Sequence, residues 1–191
     1  MSRFGEARFL ISAAVPAQFP QDVGAEVAFV GRSNAGKSSA INAIAQRRAL
    51  ARTSKMPGRT RLLNFFELAP LKRLVDLPGY GYASAPEVER RAWLPLIDAL
   101  RARASLKGLF VIVDSRRGLA VADEGLLAWA LPAHRVHVLL SKADKLNHSD
   151  AAAVLRAAAA TLSGRATAQL FSALKGTGVA QAQDTLAAWL A

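Results

Sequence analysis

The chain has 191 residues, of which 52% are hydrophobic and 20% are charged, and it contains no cysteine. This length and apolar content suit one folded domain with a real core and exclude a disordered tail, and the lack of cysteine excludes disulfides and thiolate metal sites. The formal net charge of +11 favours a polyanionic partner.

The basic residues are concentrated in the middle of the chain. From Arg47 to Arg117 there are fifteen Lys or Arg against six Asp or Glu, whereas after Lys145 there are three against two. Such a basic region often binds nucleic acid, although a genome rich in Arg and Ala codons would give the same bias. The polar residues Met1 to Arg8 and the absence of an apolar run of roughly 20 residues argue against a signal peptide and a membrane helix. We therefore expect a cytoplasmic monomer without a membrane partner.

The first clear motif is a phosphate-binding loop. Residues 27–31 predict a buried parallel strand, and apolar residues at helical spacing predict a helix over about 37–48. Glycine backbones between them let successive amides point at one phosphate, and the helix adds its positive N-terminus. Lys37 would contact the β- and γ-phosphates, and the Ser38 hydroxyl would bind Mg²⁺. The residues of this motif are Gly31, Arg32, Ser33, Asn34, Ala35, Gly36, Lys37, Ser38 and the following Ser39.

The rest of the chain alternates between strand and helix patterns. Arg8–Ala13 is either a short strand or part of an anchoring N-terminal arm over about 1–22, and Leu62–Leu68 with Leu71–Asp76 predicts an antiparallel hairpin. The next predicted helix runs from Pro86 to about 104 and is kinked or divided at Pro95. A later helix, which ends at Thr161, is capped by Ser149 or Asp150. The other predicted elements are strands at 108–114, 135–140 and 168–171 and helices at about 121–130 and at 178–190. This alternation predicts one α/β domain over residues 1–191, with a mostly parallel six-stranded sheet, one antiparallel edge hairpin and helices on both faces.

Two further stretches predict the rest of a phosphate and Mg²⁺ site. Asp76 ends the second hairpin strand and is followed by Leu77-Pro78-Gly79. A carboxylate there can hold Mg²⁺, usually through water, and the glycine amide can reach the γ-phosphate. Thr60 lies in the loop before the hairpin, where its hydroxyl can bind Mg²⁺ and its backbone can contact the γ-phosphate, or where it is an ordinary loop residue. The predicted Mg²⁺ ligands are Ser38, Thr60 and Asp76.

Two loops after the last strands predict recognition of guanine. In Ser141-Lys142-Ala143-Asp144, the Asp144 carboxylate can accept hydrogen bonds from the N1–H and the 2-amino group of guanine. Adenine would leave that carboxylate unpaired, which also argues against the weaker alternative of an ATP-dependent kinase. The Lys142 stem can lie over the base plane, and a backbone N–H in Ser172-Ala173 can meet guanine O6.

The order of these motifs is that of the regulatory GTPases, and the chain resembles translation-factor-class GTPases, most closely the EngB-type GTP-binding proteins, over nearly its whole length. Residues 31–39 resemble the phosphate loop of that family, Pro57-Gly58-Arg59-Thr60 its first switch, 76–83 its second switch and Phe171-Ser172-Ala173 its last guanine loop. The resemblance implies a P-loop GTPase that binds GTP, GDP and Mg²⁺, with Lys37, Thr60 and Gly79 taking part in hydrolysis. It also implies a role with ribosomal RNA in assembly of the large ribosomal subunit, and in cell division and septation.

Several residues differ from the usual sequence of this family or affect the predicted rate of GTP hydrolysis. Ser141 stands where GTPases more often have Asn and this family usually has Thr. Met56 stands where the family usually has Thr before Pro-Gly. Neither change removes a predicted ligand. Tyr80 occupies the position where many regulatory GTPases have a water-orienting Gln, which predicts slow intrinsic hydrolysis, with Arg59 a candidate for contacting the transition state. In related GTPases an Asn at the position of Asn34 helps to bind K⁺; alternatively, Asn34 simply tolerates the tight turn.

Two classes of function are compatible with these motifs. The first is a GTP-hydrolysing switch in ribosome assembly. The second is a basic module that binds ribosomal RNA and holds its guanine nucleotide as a structural group. They differ in whether affinity for RNA or the ribosome changes between GTP and GDP.

Overall fold

The computed structural model describes residues 4, 6–51, 62–79, 87–130, 132 and 134–191. Its strands are β1 (Arg8–Ala13), β2 (Ala25–Gly31), β3 (Leu63–Ala69), β4 (Lys72–Asp76), β5 (Leu106–Asp114), β6 (Arg135–Ser141) and β7 (Thr167–Leu170). Its α-helices are α1 (Lys37–Ile44), α2 (Glu87–Arg101), α3 (Val121–Trp129), α4 (His148–Leu162) and α5 (Val179–Trp189). In the described part of the chain, no helix is both long enough and apolar enough to cross a membrane.

The strands form one sheet in the order β1-β3-β4-β2-β5-β6-β7. The pairs β4–β2, β2–β5, β5–β6 and β6–β7 are parallel, whereas β3 is antiparallel to β4 and β1. The predicted fold class is confirmed, but the sheet has seven strands rather than six. The additional strand is β1, which pairs with β3 from Arg8 opposite Glu67 to Ala13 opposite Leu63, so the hairpin does not form the edge.

The core occupies both faces of the sheet because successive side chains of a strand point to opposite sides. On one face Phe110 and Ile112 of β5 belong to a buried cluster with residues of α1 and α5. On the other face Leu109 and Val111 belong to a cluster with residues of α2 and α4. This arrangement explains why β5 reads as a continuous apolar run and confirms helices on both faces.

Three helix predictions differ from the structure. Helix α1 ends at Ile44 rather than near residue 48, because Gln46 has a left-handed backbone with φ 53°. Helix α2 ends at Arg101 rather than near residue 104, and it runs through Pro95 as one helix, so of the two predicted alternatives only a division at Pro95 is wrong. Helix α4 is capped by Asn147, whose side chain accepts a hydrogen bond from the amide of Asp150, and not by Ser149 or Asp150.

The strand register brings the chemistry together at one edge. Phe29 lies opposite Asp76, Gly31 opposite Ile112, and Asp114 opposite Ser141. Since these strands are parallel, the loops that follow β2, β4, β5, β6 and β7 all leave the sheet at its carboxyl edge, which is where ligands bind in open α/β sheets.

Candidate functional site

The phosphate loop joins β2 to α1 and has the backbone that a phosphate cradle needs. Asn34 and Gly36 have left-handed backbones, with φ 63° and 98°. A Cβ at Gly31 would lie 2.7 Å from the carbonyl oxygen of Ile112, so a glycine is needed where β2 passes β5. No side chain from the described residues caps α1 at Gly36, and its first N–H groups can therefore serve an anion. Ser39 of α1 is exposed.

Lys37 and Asp76 form an ion pair directly beneath this loop. Their side chains are only 12% and 10% exposed. Burial raises the pKa of Asp76, and this effect is opposed by the charge of Lys37 and by hydrogen bonds from Lys37 and Asn64. A carboxylate buried this deeply is stable only beside positive charge. Asp76 and the Ser38 hydroxyl next to Lys37 are oxygen donors of the kind that Mg²⁺ prefers, so these residues fit the predicted metal site.

The segment after Asp76 lies against the phosphate loop. The Leu77 amide donates to the Phe29 carbonyl oxygen at 3.1 Å, which continues the parallel pairing of β4 with β2. A Cβ at Gly79 would lie 3.0 Å from the Cα of Ser33, so glycine permits this close approach. Leu77 is buried and Pro78 is half-buried. The structure therefore brings Gly79 to the phosphate loop, and the predicted contact of its amide with the γ-phosphate stays a prediction.

The loop after β6 holds the phosphate loop through two side chains. The Ser141 hydroxyl is buried and donates to the Ala35 carbonyl oxygen, and it is also 3.1 Å from the Val113 carbonyl oxygen. Lys142 has a left-handed backbone, and its Nζ donates to the Asn34 carbonyl oxygen at 2.6 Å. A hydroxyl at position 141 is thus enough to tie β6 to the phosphate loop, which explains how Ser can stand where Asn or Thr is usual.

The predicted guanine loops contact each other through Asp144 and Ser172. The Ser172 hydroxyl donates to Asp144 Oδ1 at 2.6 Å, and the Ala143 amide donates to the Phe171 carbonyl oxygen at 3.1 Å. The hydrogen bond from Ser172 is the main reason that the pKa of Asp144 is lowered, which keeps its carboxylate ionised to accept from guanine. The Ser172 amide donates to Thr177, so Ala173 is the better candidate to meet guanine O6. The Phe171 side chain is buried in the core.

One residue of the site was not assigned a role from the sequence. Asp114 ends β5 and is only 8% exposed, and its carboxylate accepts hydrogen bonds from Arg116 and Lys142. Together with Arg32, Ser33 and others it lines a cleft beside the phosphate loop. The signal that singled out Asp76, an acid at the carboxyl end of a buried strand, was equally present at Asp114.

The first switch lies outside the described residues. This applies to Gly58, Arg59 and Thr60, and also to Met56, Pro57 and Tyr80. Their predicted roles in nucleotide binding, metal binding and hydrolysis remain predictions.

A model of a protein family described as a 50S ribosome-binding GTPase matches residues 26–142. A probable GTP-binding protein EngB from Azoarcus sp. strain BH72 is 50% identical over 196 residues, covering 100% of this chain and 94% of that protein. Its counterpart in Coxiella burnetii strain CbuK_Q154 is 46% identical over 191 residues, covering 97% and 93%. The chain belongs to the EngB family of GTP-binding proteins. It is therefore a GTPase.

Solved structures agree with the fold of the EngB family. The crystal structure of a probable GTP-binding protein EngB superposes with a TM-score of 0.67 at 19% identity, covering 87% of this chain and 98% of that one. Era in complex with MgGDPNP and a 16S ribosomal RNA fragment also gives a TM-score of 0.67, at 20% identity, covering 87% of this chain and 57% of that one. Identities this low establish the fold alone.

Proposed function

We propose that this EngB-family chain is a GTP-dependent switch in assembly of the large ribosomal subunit, and that normal cell division and septation depend on it. The observation that carries the nucleotide part is the joining of the phosphate loop to the guanine loops through Ser141, Lys142 and Asp144. The description of the matching family model, a 50S ribosome-binding GTPase, supports the ribosomal partner. We further propose that it acts in the cytoplasm as a monomer.

The described residues divide the work of binding GTP. The amides of the phosphate loop and the N-terminus of α1 would surround the β-phosphate, with Lys37 moving from Asp76 toward the phosphate oxygens. Ser38, Thr60 and Asp76 would hold Mg²⁺, which when bound offsets the charge of the β- and γ-phosphates. Gly79, which packs on Ser33, would donate its amide to the γ-phosphate. Asp144 and Ala173 would read guanine.

Hydrolysis is proposed to be slow. Tyr80 directly follows Gly79, and a phenol cannot offer both an acceptor and a donor to the attacking water as an amide does. Positive charge for the transition state would come from Lys37, from Arg59 or from a K⁺ ion beside Asn34. The left-handed backbone of Asn34 agrees equally with a simple turn role, so K⁺ needs its own test.

Exposed cations at the opposite edge of the sheet support a polyanionic partner. Lys72, Lys107 and Arg135 lie at the amino ends of β4, β5 and β6, and Arg165 lies just before β7. Lys107, Arg135 and Arg165 donate to backbone carbonyl oxygens, which carry no formal negative charge. We call these four residues the amino-edge cations. Burial and the nearby charge of Arg101 lower the pKa of His134 at this edge, consistent with a positive potential there.

Sedimentation with purified large ribosomal subunits tests the proposed switch. The chain is mixed with subunits in three states: with a non-hydrolysable GTP analogue, with GDP and without nucleotide. A switch binds the subunit at least several-fold more tightly in one nucleotide state than in another, because a ligand can bias an equilibrium only through different affinities for its two states. Equal binding in all three states would support the alternative, an RNA-binding module with a structural nucleotide.

A further inference from the structure

Asp114 is the centre of a compact hydrogen-bond network at the carboxyl edge of the sheet. Arg116 contacts it three times, with Nε 2.9 Å from Oδ1, Nη2 2.7 Å from Oδ2 and the backbone amide 3.1 Å from Oδ1. The Nζ of Lys142 donates to Oδ2 at 2.9 Å. A carboxylate with four donors is fully ionised at neutral pH, and the hydrogen bonds from Arg116 are the main cause of its strongly lowered pKa.

The network continues from Asp114 into the phosphate loop. The same Nζ of Lys142 that contacts Asp114 also donates to the Asn34 carbonyl oxygen at 2.6 Å. The Lys142 stem passes close to Gly36, since a Cβ there would lie 3.9 Å from Cε of Lys142. Lys142 is thus fixed at its tip by one carboxylate and one carbonyl, although a lysine has four rotatable bonds and loses much rotamer freedom when it is held.

We propose that Asp114 is a positioning residue for guanine-nucleotide binding: it fixes the ammonium of Lys142 between β5 and the phosphate loop, and Arg116 fixes Asp114. The inference rests on the proposed place of Lys142 over the guanine base. Because the buried carboxylate already orders the Lys142 side chain, little conformational entropy is lost when the base binds against its stem. Removing the carboxylate leaves Lys142 held by a carbonyl alone and lowers nucleotide affinity.

Because Asp114 is charged, the direction in which its replacement changes nucleotide affinity separates a positioning role from general electrostatics. Asp114→Asn removes a negative charge near a phosphate site, so general electrostatics predicts tighter binding of an anionic nucleotide. The positioning role predicts the opposite, a loss of about tenfold in affinity, because Lys142 loses a hydrogen bond to a charged partner.

A double-mutant cycle on the full chain tests the inference. Affinity for fluorescent GDP is measured for the wild type, Asp114→Asn, Lys142→Ala and the double variant. We expect each single variant to bind more weakly and the double variant to match Lys142→Ala, since Asp114 acts through Lys142. A purely structural role would add its own loss in the Lys142→Ala background. Unchanged or tighter binding by Asp114→Asn would overturn the inference.

Further variants keep the test decisive. If Asp114→Asn does not fold, Arg116→Ala replaces it, with the same expected cancellation in the Lys142→Ala background. Arg156→Ala is the control for charge: it removes an equal positive charge from an exposed residue of α4 that does not line the cleft, and it reports only the general loss of attraction for an anion. An unaffected Lys142→Ala would instead refute the base-site assignment, so failure of that assignment is distinguishable from failure of the positioning role.

Discussion

Two contacts hold the Asp144 carboxylate in the ionised form that recognition of a guanine base would require. Its Oδ1 accepts from Ser172, and Lys145 Nζ lies 3.7 Å from its Oδ2. Both contacts favour the ionised form, which has only acceptors to offer. Guanine presents two donors on one edge, so a fixed carboxylate and guanine are complementary, and we expect the base specificity of the site to depend on Asp144.

Replacing Asp144 with Asn should exchange the preferred base. The amide can donate to the O2 of xanthine, where the carboxylate accepts from the 2-amino group of guanine. GTP affinity should fall at least about a hundredfold, since two hydrogen bonds to a charged group are lost, while affinity for xanthosine triphosphate should rise. Titration of both nucleotides into wild type and Asp144→Asn measures this. Unchanged GTP affinity would remove Asp144 from the base site.

Asn34 allows a separate test of hydrolysis. Single-turnover GTP hydrolysis is measured in matched K⁺ and Na⁺ buffers for wild type and Asn34→Ala. If Asn34 helps to bind K⁺, the wild type should be several-fold faster in K⁺, and the variant should lose the difference. Asn34→Gly is the control for the turn, because glycine adopts the observed φ of 63° without strain. Equal wild-type rates in the two salts would end the K⁺ proposal.

At the scale of elements, pattern and periodicity predicted the alternation of strands and helices but not every end. The apolar run of β5 and the left-handed backbone of Gly36 have local causes, and they were predicted correctly. Gly31 is needed for its close approach to Ile112 and not for its backbone angles. The cap at Asn147 is also local, since Asp150 follows three residues later, and it was overlooked. The pairing of β1 with β3 depends on contacts between distant residues. Arg8 and Glu67, for example, are far apart in sequence but form an ion pair between the two strands. Asp114 was missed although its place at the end of a buried strand is a local signal, and only its pairing with Lys142 in another loop depends on a distant contact.

A buried ion cluster ties the N-terminal segment to the amino edge of the sheet. Glu26 is completely buried, and its carboxylate accepts from Arg73 at 2.7 Å and from Arg103 at 2.6 Å. The same two arginines donate to the Gln21 carbonyl oxygen, at 3.0 and 3.2 Å. Arg103 also lies over the rings of Phe19 and Phe65. One carboxylate thus binds two guanidinium groups, and Asp22, 3.9 Å from Arg103, supplies a second negative charge to the cluster.

Glu26→Gln should therefore be strongly destabilising. It removes the negative charge that pairs with Arg73 and leaves Arg103 with Asp22 at 3.9 Å, and breaking a buried pair in this way costs about 3–5 kcal/mol. Urea unfolding of the two variants Glu26→Gln and Glu67→Gln measures the difference. Glu67→Gln is the matched control because it breaks a pair whose arginine, Arg8, is 68% exposed, and it should cost at most about 1 kcal/mol. Similar losses in both variants would contradict the role assigned to the Glu26 cluster.

At the scale of the whole molecule, the two edges of the sheet have different charge environments. At the carboxyl edge, Lys37, Arg116 and Lys142 are paired with the carboxylates of Asp76 and Asp114. At the amino edge, the buried Glu26 is already paired with Arg73 and Arg103, and three of the four amino-edge cations, Lys107, Arg135 and Arg165, contact backbone carbonyl oxygens. We therefore expect the amino-edge cations to contact phosphates of the ribosomal partner.

The salt dependence of subunit binding tests that expectation. Replacing Lys107 and Arg135 with Ala should weaken binding to the large subunit and reduce the slope of log affinity against log salt by about 2, since each phosphate contact releases roughly one counterion. GTP affinity should not change, because both residues lie at the edge remote from the phosphate loop. The control replaces the exposed Arg117 and Arg156, which lowers the net charge equally. An equal change of slope in the control would mean that overall charge, and not this edge, attracts the subunit; no change in either variant would remove the amino edge from the interface.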